Sequence, residues 1–332
     1  MKKEMRMIAL VVAAVLMTGM IAGCNKAELD IHTPGNEDNA ITEDVQIDLA
    51  LEIVPLTEAP AMFNDIPMPT APGTQTRSNT KAIIDYSNSS DGYIMVRYKA
   101  SINKQLRVIV TGPSDTKYTY TLKQNAEFDV YPLSDGNGRY SVGVYEQIEG
   151  SRYSTSLTAN INVTLDDEFA PFIRPNQYVN YKTDSQTVAK AAELIEDADN
   201  LPDKISAIYY FVVRNLSYDR QLAATVQSGY LPDVDAVLAK GKGICFDYAA
   251  VMASMLRSQG IPTRLVVGYA GTAYHAWIDV YSEEEGWINN YIFFDGEHWK
   301  LMDPTFASSG NQSSAVMQYI GDGTNYSVKY LY

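Results

Sequence analysis

GKGICFDYAAVMASMLRSQGIP, residues 241–262, runs from a glycine-broken loop into an apolar helix and sets a cysteine at the junction. Gly241 and Gly243 permit a tight turn, and Asp247 with the alanine-rich run after it begins a helix. Val251, Met252, Met255 and Leu256 form its inward stripe, and Gly260 and Pro262 close it. Cys245 therefore sits at or just before the first turn. Backbone N–H groups there lack intrahelical acceptors and the helix dipole is positive, so a thiolate is favoured. A cysteine can equally serve as a small buried hydrophobe, and position alone does not separate the two.

The 332-residue chain has one other cysteine, Cys24. It follows a basic MKKEMR start and an apolar run, Met7 to Met20, that is short for a membrane span. The ending Ile21-Ala22-Gly23-Cys24 resembles a bacterial lipoprotein signal. That resemblance implies lipidation of Cys24, removal of residues 1–24 as a signal segment up to that cysteine, and an extracytoplasmic protein held to the cell membrane by two acyl chains. Cys245 is then left without a disulfide partner, so it is either a core residue or a reactive thiol.

Residues 25–80 hold ten acidic side chains, two basic ones and six prolines, without apolar periodicity. They are expected to form a disordered tether of about 40 Å reach. Much of the formal net charge of −14 lies there, and the acidic balance argues against nucleic-acid binding. From Lys81 to Asp166 the pattern changes to short β-type runs: YIMVRY, LRVIVTG, KYTYTL, EFDVYPL, RYSVGVYEQ and TANINVTL. Turn signals such as GPSD and SDGNG space them regularly, which predicts an all-β immunoglobulin-like sandwich of about seven strands over residues 81–166. Its tyrosines (93, 98, 118, 120, 131, 140, 145 and 153) read either as good strand residues or as a binding face.

The connector DEFAPFIRPNQYVNY leads into a second domain, 167–332. Val188, Ala191, Ala192 and Ile195 form one helical stripe, and Ile205, Ile208, Tyr209, Val212 and Leu216 another after Pro202. A short segment with Val234, Val237 and Leu238 stops at Gly241, and the cysteine helix follows. The period then switches to two in TRLVVGY, YHAWIDVY, WINNYIFF and HWKLMDPTF. Helices first and antiparallel strands afterwards predict an α+β domain, with the cysteine helix packed against a sheet.

A nucleophilic cysteine needs a base, and the chain has three histidines. His32 lies in the tether; His275 and His298 lie in expected strands. Asp303, fixed by Pro304, is the natural group to orient an imidazole. His298 and Asp303 are five residues apart, so on one strand they face opposite ways and stand roughly 17 Å apart. His275 meets Asp303 if their strands pair antiparallel, a register that sets Tyr281 opposite Glu297 and makes Ser282–Gly296 an excursion. A plain meander through Asp295-Gly296 levels His275 with His298 instead.

The order GICFDYA, GIPTRLVVGY, HAWIDVY, WKLMDPTF closely resembles the transglutaminase-like superfamily, related in fold to papain-like cysteine proteases. The resemblance covers about residues 180–306. It implies Cys245 as nucleophile, His275 as base and Asp303 as its orienting group, and so selects the register with the excursion. The chain departs from the animal enzymes in having no tryptophan just before Cys245 and no cluster like their calcium sites. Tyr218 in NLSYD is a candidate second oxyanion donor or a core tyrosine; Trp277, Trp287 and Trp299 either shield the site or anchor strands. A zinc site of Cys245, His275, His298 and Asp303 lacks the usual ligand spacings, so no metal or other cofactor is expected.

The expected function is a thiol enzyme acting on amide or peptide bonds of a protein or peptide, with cell-envelope substrates suggested by location. Cross-linking, deamidation and proteolysis share the first step. The rival expectation is a catalytically idle domain in a lipoprotein that binds through its sandwich.

Overall fold

The computed structural model describes residues 66–100, 102–124, 127–284, 286–288 and 326–332. Cys24, the tether before residue 66, His298, Trp299, Asp303 and the HWKLMDPTF strand lie outside the described residues.

Eight strands come first: β1 Thr76–Ser78, β2 Ala82–Asp85, β3 Tyr93–Tyr98, β4 Leu106–Thr111, β5 Lys117–Thr121, β6 Asp129–Pro132, β7 Gly138–Glu149 and β8 Arg152–Val163. They form two antiparallel sheets, ordered β1-β2-β3-β6 and β5-β4-β7-β8. Period-two alternation drives this: in β5, Tyr118 and Tyr120 are buried between exposed Lys117, Thr119 and Thr121. Ile84, Ile94 and Val96 of one sheet share a buried core with Val108, Val110, Val142 and Val144 of the other. Each such side chain contributes about 1.5–3 kcal/mol on burial.

One expectation changes here, and one choice between readings is decided. Residues 66–80 were assigned to the tether, yet Ile66 is buried, Thr70 N–H donates to Tyr93 Oη at 3.1 Å, and β1 pairs with β2. A short, exposed edge strand needs no apolar periodicity, so the composition of the segment hid it. Of the eight tyrosines, Tyr93, Tyr98, Tyr118, Tyr120, Tyr131 and Tyr140 are buried, which makes them core residues and not an open binding face. Tyr140, at the start of β7, donates its hydroxyl to Gly136 O at 2.8 Å and accepts Asp135 N–H at 2.9 Å. Tyr140→Phe is expected to cost about 1–2 kcal/mol, seen as a lower urea midpoint with unchanged slope.

The chain then crosses a connector that holds the two parts together. Arg174 bonds the Asp91 carbonyl at 3.0 Å and its carboxylate at 2.8 Å, while the Tyr178 ring packs on Tyr120, Tyr332 and Phe246. Helices α1 Gln186–Leu194 and α2 Leu201–Asn215 follow, the latter capped by Asn200, whose side chain accepts Asp203 N–H. After β9 Ser217–Tyr218 come α3 Arg220–Thr225, α4 Val234–Lys240, β10 Lys242–Gly243 and α5 Cys245–Ser258. Strands β11 Thr263–Ala270, β12 Ala273–Ser282, β13 Gly286–Ile288 and β14 Tyr326–Leu331 form one antiparallel sheet, ordered β13-β12-β11-β14.

Helix α5 is the centre of this part. The expected inward stripe is buried, but so is every other residue of the helix except Phe246. It packs against α1, α2 and α4 and against β11 and β12, so small Ala249, Ala250 and Ala253 serve the crowded faces. No helix among the described residues is long and apolar enough to cross a membrane.

Candidate active site

Cys245 is the first residue of α5 and is buried, with 7% of its surface exposed. Three local features fix that turn. Gly241 ends α4 in the left-handed region, φ +61°, where its N–H reaches Val237 O at 3.0 Å. β10 then runs parallel to β9, pairing Gly243 with Tyr218, and Asp219 N–H donates to Gly243 O at 2.8 Å. Finally Asp247 folds back over the turn: its Oδ2 accepts Ile244 N–H at 2.8 Å, and its Oδ1 accepts the Tyr230 hydroxyl at 2.7 Å. This explains the second glycine of the motif. A Cβ on Gly243 would lie 2.6 Å from Asp247 Cβ. Gly243→Ala is expected to displace that carboxylate and cost roughly 1–3 kcal/mol, checked by thermal unfolding.

The electrostatics of the turn follow from burial. Desolvation pushes the Asp247 carboxyl above its usual range, while the Ile244 N–H, the Tyr230 hydroxyl and the Lys240 charge pull it back. Asp219 is held below its usual range, first by Leu222 N–H and then by Lys240 and Lys242, both 3.4 Å away. Burial lifts Tyr274 to about 12, with Tyr330, Tyr269 and the Cys245 sulfur adding to the effect.

That last interaction locates the thiol against β12: Tyr274 lies within electrostatic range of Cys245. His275 is the next residue, paired with Gly268 of β11, and is buried. Neighbouring strand residues alternate, so Tyr274, Ala276, Ile278 and Val280 share the face that joins the core of α5. His275 and Trp277 share the other face, their rings stacked with centroids 6.5 Å apart, and Trp277 meets Tyr326 edge-on at 5.0 Å. The structure thus packs the Cys245 helix against the His275 strand, with the imidazole stacked beside Trp277.

Three other expectations concern the site. The Tyr281–Glu297 register rests on Glu297, which lies outside the described residues; within them Tyr281 lies opposite Trp287 of β13 and its N–H donates to Pro262 O at 2.9 Å. A tight hairpin, pairing Ser282 with Gly286, occupies that edge of β12. Trp287 packs with Phe172 and Tyr281, lies under the Arg264 guanidinium at 3.6 Å, and donates to Glu168 at 3.1 Å, which is strand anchoring. Tyr218 sits beside Gly243, two residues before the cysteine, with its hydroxyl shielded from solvent. Sequence reading missed Tyr230, which stands in no recognisable motif, and gave Tyr274 no role beyond its place in the YHAWIDVY strand.

Residues 188–292, which include Cys245 and His275 and stop short of Asp303, match the family model described as the transglutaminase-like superfamily. Residues 188–292 form a transglutaminase-like domain. The uncharacterized protein YebA of Bacillus subtilis is 30% identical over 117 residues, which cover 30% of this chain and 16% of YebA. A protein-glutamine gamma-glutamyltransferase of Pseudomonas aeruginosa is 36% identical over 61 residues, 14% of this chain and 9% of that enzyme. The chain therefore spans only a small part of the curated relatives it matches. Among solved structures, a proposed cysteine protease from Cytophaga hutchinsonii aligns with TM-score 0.36 and 16% identity, over 78% of this chain and 73% of that one. Red sea bream transglutaminase aligns with TM-score 0.29 and 12% identity, over 71% and 54% of the two chains. The transglutaminase-like domain here has the α+β content and antiparallel sheet expected of the papain-like class.

Proposed function

We propose that this chain is an extracytoplasmic, lipid-anchored thiol enzyme that cleaves amide bonds through a thioester on Cys245. One observation carries the reading: the motif cysteine of a transglutaminase-like domain stands at the first position of a buried helix, where the dipole and the first-turn N–H groups favour a thiolate. In the proposed cycle the thiolate attacks the carbonyl carbon of a glutamine side chain or peptide bond. The tetrahedral oxyanion is met by the Cys245 N–H and a second donor. As the C–N bond breaks, the His275 imidazolium, oriented by Asp303, gives its proton to the departing ammonia or amine. An amine or water then attacks the thioester, passes its proton to the imidazole and restores the thiolate. Amines give cross-links, and water gives deamidation or proteolysis. Lipidation at Cys24 would present this chemistry to protein or peptide substrates of the cell envelope, without nucleic acid or cofactor.

The strand order β1-β2-β3-β6 against β5-β4-β7-β8, with the Tyr140 hydroxyl returned to the backbone just before β7, supports an immunoglobulin-like assignment of the N-terminal sheets. Its docking onto the connector through Tyr120–Tyr178 and onto β14 through Tyr118–Tyr330 supports a scaffolding role.

The alternative is a transglutaminase-like scaffold whose thiol does no chemistry. Incubating the protein with a glutamine-containing peptide and hydroxylamine separates the two. Hydroxamate that depends on both Cys245 and His275 supports the enzyme, and none at any pH supports the scaffold.

A further inference from the structure

The Asp247 carboxylate is used for more than closing the helix end. It is wholly buried, two residues beyond the thiol in the same turn, and both of its oxygens receive donors. With Oδ2 on Ile244 N–H and Oδ1 on the Tyr230 hydroxyl, an added carboxyl proton would compete with one of those donors, so the arrangement suits the anion. An anion held in the first turn offsets the positive end of the helix dipole on which Cys245 sits. We infer that Asp247 is a positioning residue that restrains the acidity of the Cys245 thiol, keeping its thiolate basic enough to be a strong nucleophile.

The chemical logic is a balance. The helix N-terminus alone would make the thiol strongly acidic, and a thiolate loses nucleophilicity as its parent thiol becomes more acidic. A fixed negative charge in the first turn sets a middle value. The groups that reach this carboxylate are Tyr230 from the loop before α4, Lys240 at the end of α4 and Asp219 ahead of α3. Tyr274 of β12 is the titratable neighbour on the thiol side, with His275 next to it on that strand. Burial works against this anion, while the Ile244 N–H, the Tyr230 hydroxyl and the Lys240 charge favour it.

This inference deepens the thiol-enzyme reading and rests on Cys245 being the reacting group, yet it can be tested apart from catalysis. Asp247→Asn keeps the geometry: the amide oxygen accepts Ile244 N–H, and the amide N–H donates to the Tyr230 oxygen. Only the charge is lost. Iodoacetamide alkylation is followed against pH on the full chain in detergent, with Cys24→Ser so that Cys245 is the one thiol present. In Asp247→Asn the midpoint is expected to fall by about one pH unit. About tenfold more thiolate, offset by about threefold weaker nucleophilicity, raises the rate at pH 6 about threefold and lowers the high-pH plateau about threefold. Disturbed packing would instead shift both limbs the same way through access to the thiol. Asp247→Ser, which keeps a short N-cap-type acceptor without charge, gives the same crossing of profiles if the asparagine variant fails to fold. A midpoint that stays or rises in the folded variant overturns the inference. A wild-type midpoint near the ordinary thiol value that still falls in Asp247→Asn removes the catalytic reading and leaves this one standing.

Discussion

Alanine at His275 is expected to lower acylation of Cys245 by p-nitrophenyl acetate at pH 7 by about 10²–10⁴-fold, and alanine at Cys245 to abolish it. The first loss follows from removing the group that holds the thiolate and shuttles protons. The second follows from removing the atom that is acylated. The geometry makes the first result informative. His275 is buried on β12 beside Trp277, and Tyr274 on the same strand lies within electrostatic range of the thiol. If the triad operates, Tyr274→Phe leaves the acylation rate within a few-fold while His275→Ala removes it. If Tyr274→Phe has the larger effect, the imidazole is not the base.

Replacing Arg257 by methionine is expected to destabilise the protein by roughly 3–5 kcal/mol, the largest single-residue effect on folding in this part of the molecule. The guanidinium is fully buried and donates to three backbone carbonyls: Thr263 at 2.8 Å, Arg174 at 2.8 Å and Tyr332 at 2.6 Å. Those carbonyls belong to the first residue of β11, the connector and the residue after β14. One side chain thus ties the helix that begins at Cys245 to three separate segments. Burial lowers its own pKa to about 10, yet at neutral pH it stays charged, and the carbonyl oxygens take the place of water around it. Removal takes a donor from all three oxygens, of which Tyr332 O keeps the Leu265 N–H at 2.9 Å. Lysine is no substitute, because a single ammonium lacks the planar fork that spans them. The check is urea unfolding: the midpoint falls steeply while its slope is kept. A shift below 1 kcal/mol would mean that the segments hold together without this clamp.

Much of this could be read from the chain, and the misses have physical causes. The helix of Cys245 announces itself through its glycines, its apolar spacing and Pro262, and β11 and β12 through alternation. What the pattern could not tell was how α5 sits. An apolar stripe at helical spacing says which face is certainly inward, but not that alanines, two serines and an arginine are enclosed as well. β1 escaped because edge strands need no buried residue, and all three of its residues are exposed. β14 escaped because Ser327, Val328 and Lys329 are exposed and its place beside β11 is a long-range pairing. Register was the hardest quantity. Period-two alternation gives the parity of His275 but not which strand takes the edge beyond Val280, and the hairpin into β13 decided that. Tyr230 and Asp247 lie 17 residues apart, and only the fold makes them partners.

The central claim is that Cys245 is an activated nucleophile served by His275. It is tested most directly by the rate of Cys245 alkylation with iodoacetamide between pH 4 and 10, on the full chain carrying Cys24→Ser, with and without His275→Ala. The account predicts rapid alkylation persisting well below pH 7 and its loss on the acid side when His275 is replaced. A slow reaction with a midpoint near the ordinary thiol value of about 8.5, unchanged by His275→Ala, would contradict it.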